Sequence, residues 1–416
     1  MSWLIAGLIA GIVLWTLMLL WNIYNFSGYV SMHSTSAMPL ERTPRVSILV
    51  PARNEAEMLP STLPGLLQQD YPDYEVVLVD DGSTDGTGEV AERIARELPP
   101  EAAARLRLIR VKEKLPAGWI GKNHALHVAF ESLSEQKQNS EWVLATDADI
   151  VFHPKALRAG LAIAEGQRAE LVTIFAFMHC VSFWEKLMMP GFALLLSSVF
   201  PQKLINSPRA SVALASGGYI LMRRDVWAGL GGYRAICSEM IDDLNTARLV
   251  KHSGRRIFAA ATRDLITTRM YVSFAEMWEG LRKNAFAGHR FNLAKSLAAT
   301  CGYLLCNTLP LAVLLWFGAR WLGGGGEAVG AETTAVTLAA AEYFLIGLLH
   351  LPVLLYLNIG AGFGLLAPLA ASVYAVITVD SMVRTLAGGG VSWKSRQYGQ
   401  PGQPSQPEKP GQPAGG

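Results

Sequence analysis

The sequence predicts an α/β protein, a doubly wound and mostly parallel sheet, with transmembrane helices at both ends. Three observations predict it. Between about residues 42 and 290, short runs rich in Val, Ile and Leu alternate with helix-length segments, the pattern of buried parallel strands joined by right-handed crossovers. Residues 3–21 carry no charge, and a stretch of about 19–20 such residues spans a bilayer core. Three further apolar stretches, near 297–322, 335–357 and 362–383, crowd the last third of the chain. Composition agrees: 51% of the 416 residues are hydrophobic and only 17% charged, against about 25% charged in ordinary soluble proteins. A net charge of +2 supplies no field that would draw in nucleic acid. The apolar content excludes disorder as the main state.

Taken in order, residues 1–24 read as an uncleaved anchor, because neither a basic n-region nor a small-residue cleavage site accompanies the apolar run. Strands are expected at 46–50, 76–79, 106–111 and 143–146, with helices over 55–69 and 87–98. In the second helix Val90, Ile94 and Leu98 recur four apart on one face. Residues 183–205 are apolar and aromatic but interrupted by Pro190 and Pro201. They are expected to lie in the membrane interface and shape a lipid entrance. Residues 295–385 hold the C-terminal membrane helices. Glu342, His350 and Asp380, inside or at the edge of these stretches, are read as facing neighbouring helices or an interface. The Pro/Gly/Gln tail, 394–416, cannot bury a core and is expected to be disordered. Cys180, Cys237, Cys301 and Cys306 form no CxxC pair and read as reduced thiols or packing residues.

Ligands of doubly wound sheets bind beyond the carboxyl ends of the strands, and there the polar motifs gather. The first strand empties into Pro51-Ala52-Arg53-Asn54-Glu55 and the second into Asp80-Asp81-Gly82-Ser83-Thr84-Asp85-Gly86. Two glycines permit tight turns, and the carboxylates can accept hydrogen bonds from a ribose or base. After the fourth strand, Asp147-Ala148-Asp149 puts two carboxylates on one side of an extended segment. Such a pair suits a hard divalent ion shared with substrate phosphates.

Together VPARNE, VDDGSTDGT and TDAD resemble the family-2 glycosyltransferases, whose architecture is the GT-A nucleotide-diphosphosugar transferase fold, over about residues 45–290. The resemblance implies that Pro51, Ala52, Glu55 and Asp81 line the base and ribose of the donor. It also implies that Asp147 approaches the nucleotide sugar and that Asp149 ligates Mn²⁺ or Mg²⁺ across the diphosphate. The GWxGK pattern ending at Lys122 resembles a lipid-modifying branch: hopanoid-associated and carotenoid glycosyltransferases, with ceramide glucosyltransferases more distant. Lys122 would hold the diphosphate as a point charge. His124 and His127 follow at i, i+3 with no third ligand near them in the sequence. Gly217 and Gly218, in Ser216–Tyr219, would let backbone approach the donor sugar or acceptor.

Asp242-Asp243 matches the place where the family carries its Glu-Asp base motif, with Asp242 replacing the Glu. Asp243 aligns with the base that takes the acceptor hydroxyl's proton in inverting transfer. Asp243 also sits where a carboxylate can cap the helix that follows. Many relatives have Q/R-x-x-R-W near residue 282. Here Arg282 and an aromatic remain, but Ala285 stands where the second Arg should. Arg282 or Lys283 would support the diphosphate, and the departure weakens a processive polysaccharide-synthase reading. The expectation is a multi-pass membrane enzyme with a cytosolic catalytic domain, moving a hexose from a nucleotide diphosphate sugar to a lipid hydroxyl. A polyprenyl-phosphate glycosyltransferase, a polysaccharide synthase and an inactive scaffold of the same fold stand as alternatives. Three late spans would put the tail outside, a placement that Arg384, Lys394 and Arg396 oppose.

Overall fold

The computed structural model describes residues 1–36, 38–134, 140–289, 291–323, 330–387, 391–393 and 396–398. They divide into two compact units, and the chain passes between them more than once. Residues 28–179 and 200–270 form the α/β unit, while 1–27, 180–199 and 271–391 form the helical one. The stretch 180–199 and the residues from Tyr271 onward thus leave the interval 42–290 and join the apolar helices.

In the α/β unit the strands are β1 (Ser31–Met32), β2 (Val46–Ala52), β3 (Tyr74–Asp80), β4 (Leu106–Arg110), β5 (Trp142–Ala145), β6 (Val151–Phe152), β7 (Leu171–Phe175), β8 (Phe177–Met178), β9 (Ile220–Arg223), β10 (Ile257–Thr262) and β11 (Ile266–Thr268). Among the described residues the main sheet has eight strands in the order β1-β10-β7-β9-β5-β2-β3-β4. Its pairings are parallel, except that β9 runs antiparallel to both β5 and β7. A second sheet orders β6-β11-β8.

Strand β3 is buried along its whole length, and β2 everywhere except Pro51. Their side chains divide between two cores by alternation. Val46, Ile48, Val50, Val76 and Leu78 pack with Leu59, Leu63, Ala91 and Ile94 of the helices Leu59–Leu67 and Thr87–Glu97 on one face. Leu49, Val77, Val79 and Val143 pack with Ala125, Leu126, Ala247 and Val250 of the helices Gly121–Ser132 and Asp242–His252 on the other. The chain runs from β2 outward to β3 and β4, then returns to the opposite side of β2 for β5. That reversal makes the β2/β5 boundary the topological switch point, where a crevice opens beyond the strand ends.

The helical unit contains the helices Ser2–Phe26, Phe183–Val199, Phe274–Gly288, Leu293–Leu322, Gly330–Tyr356 and Ala367–Leu386. Among the described residues, five segments are long and apolar enough to cross a membrane: Ser2–Phe26, Phe183–Asn206, Leu293–Leu322, Gly330–Tyr356 and Ala361–Leu386. The helix Phe183–Val199 continues through Pro190. Glu342 and His350 are buried inside this unit, and Glu342 packs on Gly11. The four cysteines are free thiols. The tail 394–416 lies outside the described residues except for Arg396–Tyr398, which pairs with Val391–Trp393.

Candidate active site

The loops after β2 and β3 are joined by their polar groups. Asn54 adopts a left-handed backbone (φ 52°). From there its side chain accepts from Thr84 N at 2.9 Å, and its own N–H donates to Ser83 Oγ at 3.0 Å. The Glu55 and Ala56 amides donate to Thr87 Oγ1 and Asp85 Oδ2, at 2.9 and 3.0 Å. Arg53 Nη1 donates to the Asp81 carbonyl at 2.6 Å, and Asp81 N to the Ala52 carbonyl at 2.9 Å. Gly82 and Gly86 both have positive φ, where a side chain would be strained. The helix expected from residue 55 therefore starts only at Leu59, because these bonds hold 53–56 in a loop. Ala52 and Asp81 are buried, and Pro51 and Glu55 half-buried, at this edge of the sheet.

A charged cluster forms beyond β5. Lys122 Nζ lies 2.7 Å from Asp147 Oδ1 and 3.0 Å from Asp242 Oδ2. Burial alone would disfavour the ammonium. The carboxylates of Asp147, Asp242 and Asp243 overcome that and hold it well above its usual range. Asp243 Oδ2 accepts from Gly217 N at 3.2 Å, and its Oδ1 accepts from Leu244 N at 2.7 Å. Desolvation, with the adjacent Asp242 charge, raises the Asp243 carboxyl from 3.8 to about 6, Lys122 opposing. The helix begins at Asp242, so Asp243 lies within its first turn instead of preceding it as a cap, and Ile241 takes the N-cap position.

The Ser216–Tyr219 turn closes over this cluster. A bridge and a 2.9 Å bond from Tyr219 N to the Ser216 carbonyl form the turn, and Ser216 N donates to Thr173 Oγ1. Gly217 is there for space. A Cβ on it would stand 2.7 Å from Asp147 Oδ2 and 3.0 Å from Lys122 Nζ, and one on Gly218 would meet Ile150 at 3.0 Å. Gly217→Ala should push Asp147 off Lys122 and lower kcat by about tenfold or more through misplacement. Because only side-chain ends must move, the melting temperature should change little. Kinetics beside a thermal melt check this, and unchanged kcat would remove Gly217 from the site.

Asn123, unassigned by its sequence context, organises the far side of the site. Fully buried, it donates through Nδ2 to the carbonyls of Ile236 and Glu239 at 2.8 and 2.9 Å. It thereby ties the helix bearing Lys122 to the segment leading into Asp242. The stacking of Trp119 on His127 (4.8 Å between centroids) gives these aromatics a packing role. The structure thus gathers Lys122, Asp147, Gly217, Asp242 and Asp243, with Asp149 half-buried two residues beyond Asp147. Arg282 belongs to the helical unit, where its Nη1 lies 3.4 Å from Asp380 Oδ2. Trp278 Nε1 donates to the same oxygen at 2.9 Å.

The family described as "Glycosyltransferase like family 2" matches residues 44–289. The chain belongs to this family. Among its relatives, the 4,4'-diaponeurosporenoate glycosyltransferase of Staphylococcus aureus (strain MRSA252) is 22% identical over 370 residues, 85% of this chain and 88% of that protein. Glycosyltransferase AglE of Haloferax volcanii is 30% identical over 132 residues, and the match spans only 38% of its length. Among solved structures, the mannosyltransferase PcManGT from Pyrobaculum calidifontis, in complex with GDP-Man and Mn²⁺, superposes with a TM-score of 0.51. It is 20% identical and the match covers 90% of this chain and 99% of that one. The family-2 glycosyltransferase fold expected from VPARNE, VDDGSTDGT and TDAD is thereby established.

Proposed function

We propose that this family-2 glycosyltransferase is a membrane-bound, inverting enzyme that moves a hexose from a nucleotide diphosphate sugar to a lipid hydroxyl. The observation that carries the reading is Asp243, a carboxylate held by two backbone N–H groups beside the Lys122–Asp147–Asp242 cluster. It sits in a chain whose described residues include five helices long and apolar enough for a bilayer. The 22% identity to a carotenoid-acid glycosyltransferase extends across most of both chains and supports a lipid acceptor.

In this reading Pro51, Ala52, Glu55 and Asp81 line the base and ribose, and Asp147 orients the donor sugar. Gly217 and Gly218 let the sugar approach backbone. Asp243 takes the acceptor hydroxyl's proton as that oxygen forms its bond to the anomeric carbon and the bond to the diphosphate oxygen breaks. Asp242 orients Lys122. Asp149 suits Mn²⁺ or Mg²⁺. It is an oxygen donor at a strand end, and no group of three or more His, Cys, Asp or Glu side chains able to hold a metal occurs among the described residues. The remaining ligands would be substrate phosphates and water, the usual arrangement for Mg²⁺. Such an ion supplies charge stabilisation to the departing diphosphate.

The catalytic unit would face the cytosol, where nucleotide sugars are made. A helix at Phe183–Val199 that crossed the bilayer once would separate residues 28–179 from 200–270. Yet β9 pairs with β5 and β7. This pairing supports reading the helix as an interfacial segment that enters and leaves on one face. The test uses membranes containing the protein, a panel of labelled nucleotide hexoses and mass spectrometry of extracted lipid. Protein-dependent label in lipid, abolished by excess EDTA and restored by Mn²⁺, is expected. Label only in water-soluble product refutes the lipid acceptor, and undiminished transfer in EDTA refutes the metal.

A further inference from the structure

A small cavity lies against the charged cluster, lined in part by Lys122, Thr146, Tyr233, Asp242 and Thr246. Tyr233 is 2% exposed and its hydroxyl has no partner in the protein. Its ring is fixed by Trp227 and Phe130, edge-on at 5.2 and 6.0 Å between centroids. A buried hydroxyl without a partner costs about 1–3 kcal/mol. A cavity of one-water size, whose lining sets polar groups beside apolar ones, can hold an ordered water that settles that cost. We propose that Tyr233 is a positioning residue for the Asp242–Asp243 pair, its hydroxyl donating to Asp242 across this cavity through one bound water.

The charged groups facing the pair are Lys122 and Asp147. Burial, reinforced by the Asp242 charge, raises the Tyr233 hydroxyl's affinity for its proton, so it stays a donor. A donor aimed at an ionised carboxylate stabilises the charged pair and keeps it available as base at neutral pH. The inference rests on the proposed role of this pair, and the experiment separates the two.

Tyr233→Phe removes one oxygen and keeps the ring. In the full-length, detergent-solubilised enzyme the acid limb of the kcat/KM profile should move up by about half a pH unit, the scale of a water-mediated bond to a charge. The melting temperature of Tyr233→Phe should fall below the parent's, and the gap should narrow as pH drops from neutral towards 5 and the pair takes up a proton. A profile coincident with the parent's, or a gap independent of pH, overturns the proposal. If the parent transfers no hexose, the function reading fails and the melting gap alone decides. If Tyr233→Phe does not fold, Thr246→Val replaces it: the same upward shift is expected, and no shift overturns.

Discussion

Asp243→Asn should lower kcat by about 10²–10⁴, the usual contribution of a general base, while the variant becomes more stable at neutral pH. Both halves follow from one environment. Asparagine keeps an acceptor for either Leu244 N or Gly217 N, the two bonds Asp243 makes, but takes no proton. The folded-state value near 6 lies above the 3.8 of the unfolded chain, so the folded protein gains relative stability as pH falls from about 6 towards 4. At neutral pH the charged form bears the cost, on the order of 1–3 kcal/mol. Asparagine removes that cost and loses part of the gain by satisfying only one donor. Parent activity should accordingly decline below about pH 6. A folded Asp243→Asn enzyme turning over normally, with Asp242→Asn inactive, would move the base one residue upstream.

The opposite result is expected at Lys122. Lys122→Met strips three neighbouring carboxylates of their cation. Removing one partner of a buried ion pair costs about 3–5 kcal/mol. The Asp147 side chain, 36% exposed, is partly screened by solvent, which argues for about 3. The ammonium's raised affinity for its proton makes its contribution complete below the unfolded value of about 10.5, so the loss is full at neutral pH. The acid limb should also rise, since the carboxylates then hold protons more tightly. Lys122→Arg should not rescue, because a planar guanidinium replaces a compact charge where Gly217 already leaves no room. Thermal melts and donor-binding titrations across pH check these outcomes. An unchanged melting temperature would show that the cluster carries no net stability.

Much of this was legible where signals are local. The strands expected at 46–50, 76–79, 106–111 and 143–146 correspond to Val46–Ala52, Tyr74–Asp80, Leu106–Arg110 and Trp142–Ala145, because buried parallel strands write themselves as unbroken apolar runs. Helix Thr87–Glu97 also appears where periodicity placed it. The antiparallel β9 was not legible. Ile220–Arg223 is four residues long, and its direction is set by insertion between β5 and β7, a long-range fact with no local trace. The site divides in the same way. Lys122, Asp147, Asp242 and Asp243 stand in recognisable motifs, but their convergence on one ammonium is tertiary. Asn123 bonds to backbone carbonyls more than a hundred positions away, which no spacing rule anticipates. Arg282, placed by motif, pairs with Asp380 in its own unit.

The placement of β9 also sets the order of events during synthesis. When the first 179 residues have emerged, β5 and β7 exist but the strand that pairs with both does not. Nor does β10, which closes the other side of β7. Their unpaired edges wait while the apolar helix Phe183–Val199 is made, and open apolar edges are the features that invite misassociation. The half-built sheet stays open at this position until Ile220–Arg223 arrives. A fragment cut at residue 179 cannot be a smaller enzyme: it ends with the centre of its sheet missing.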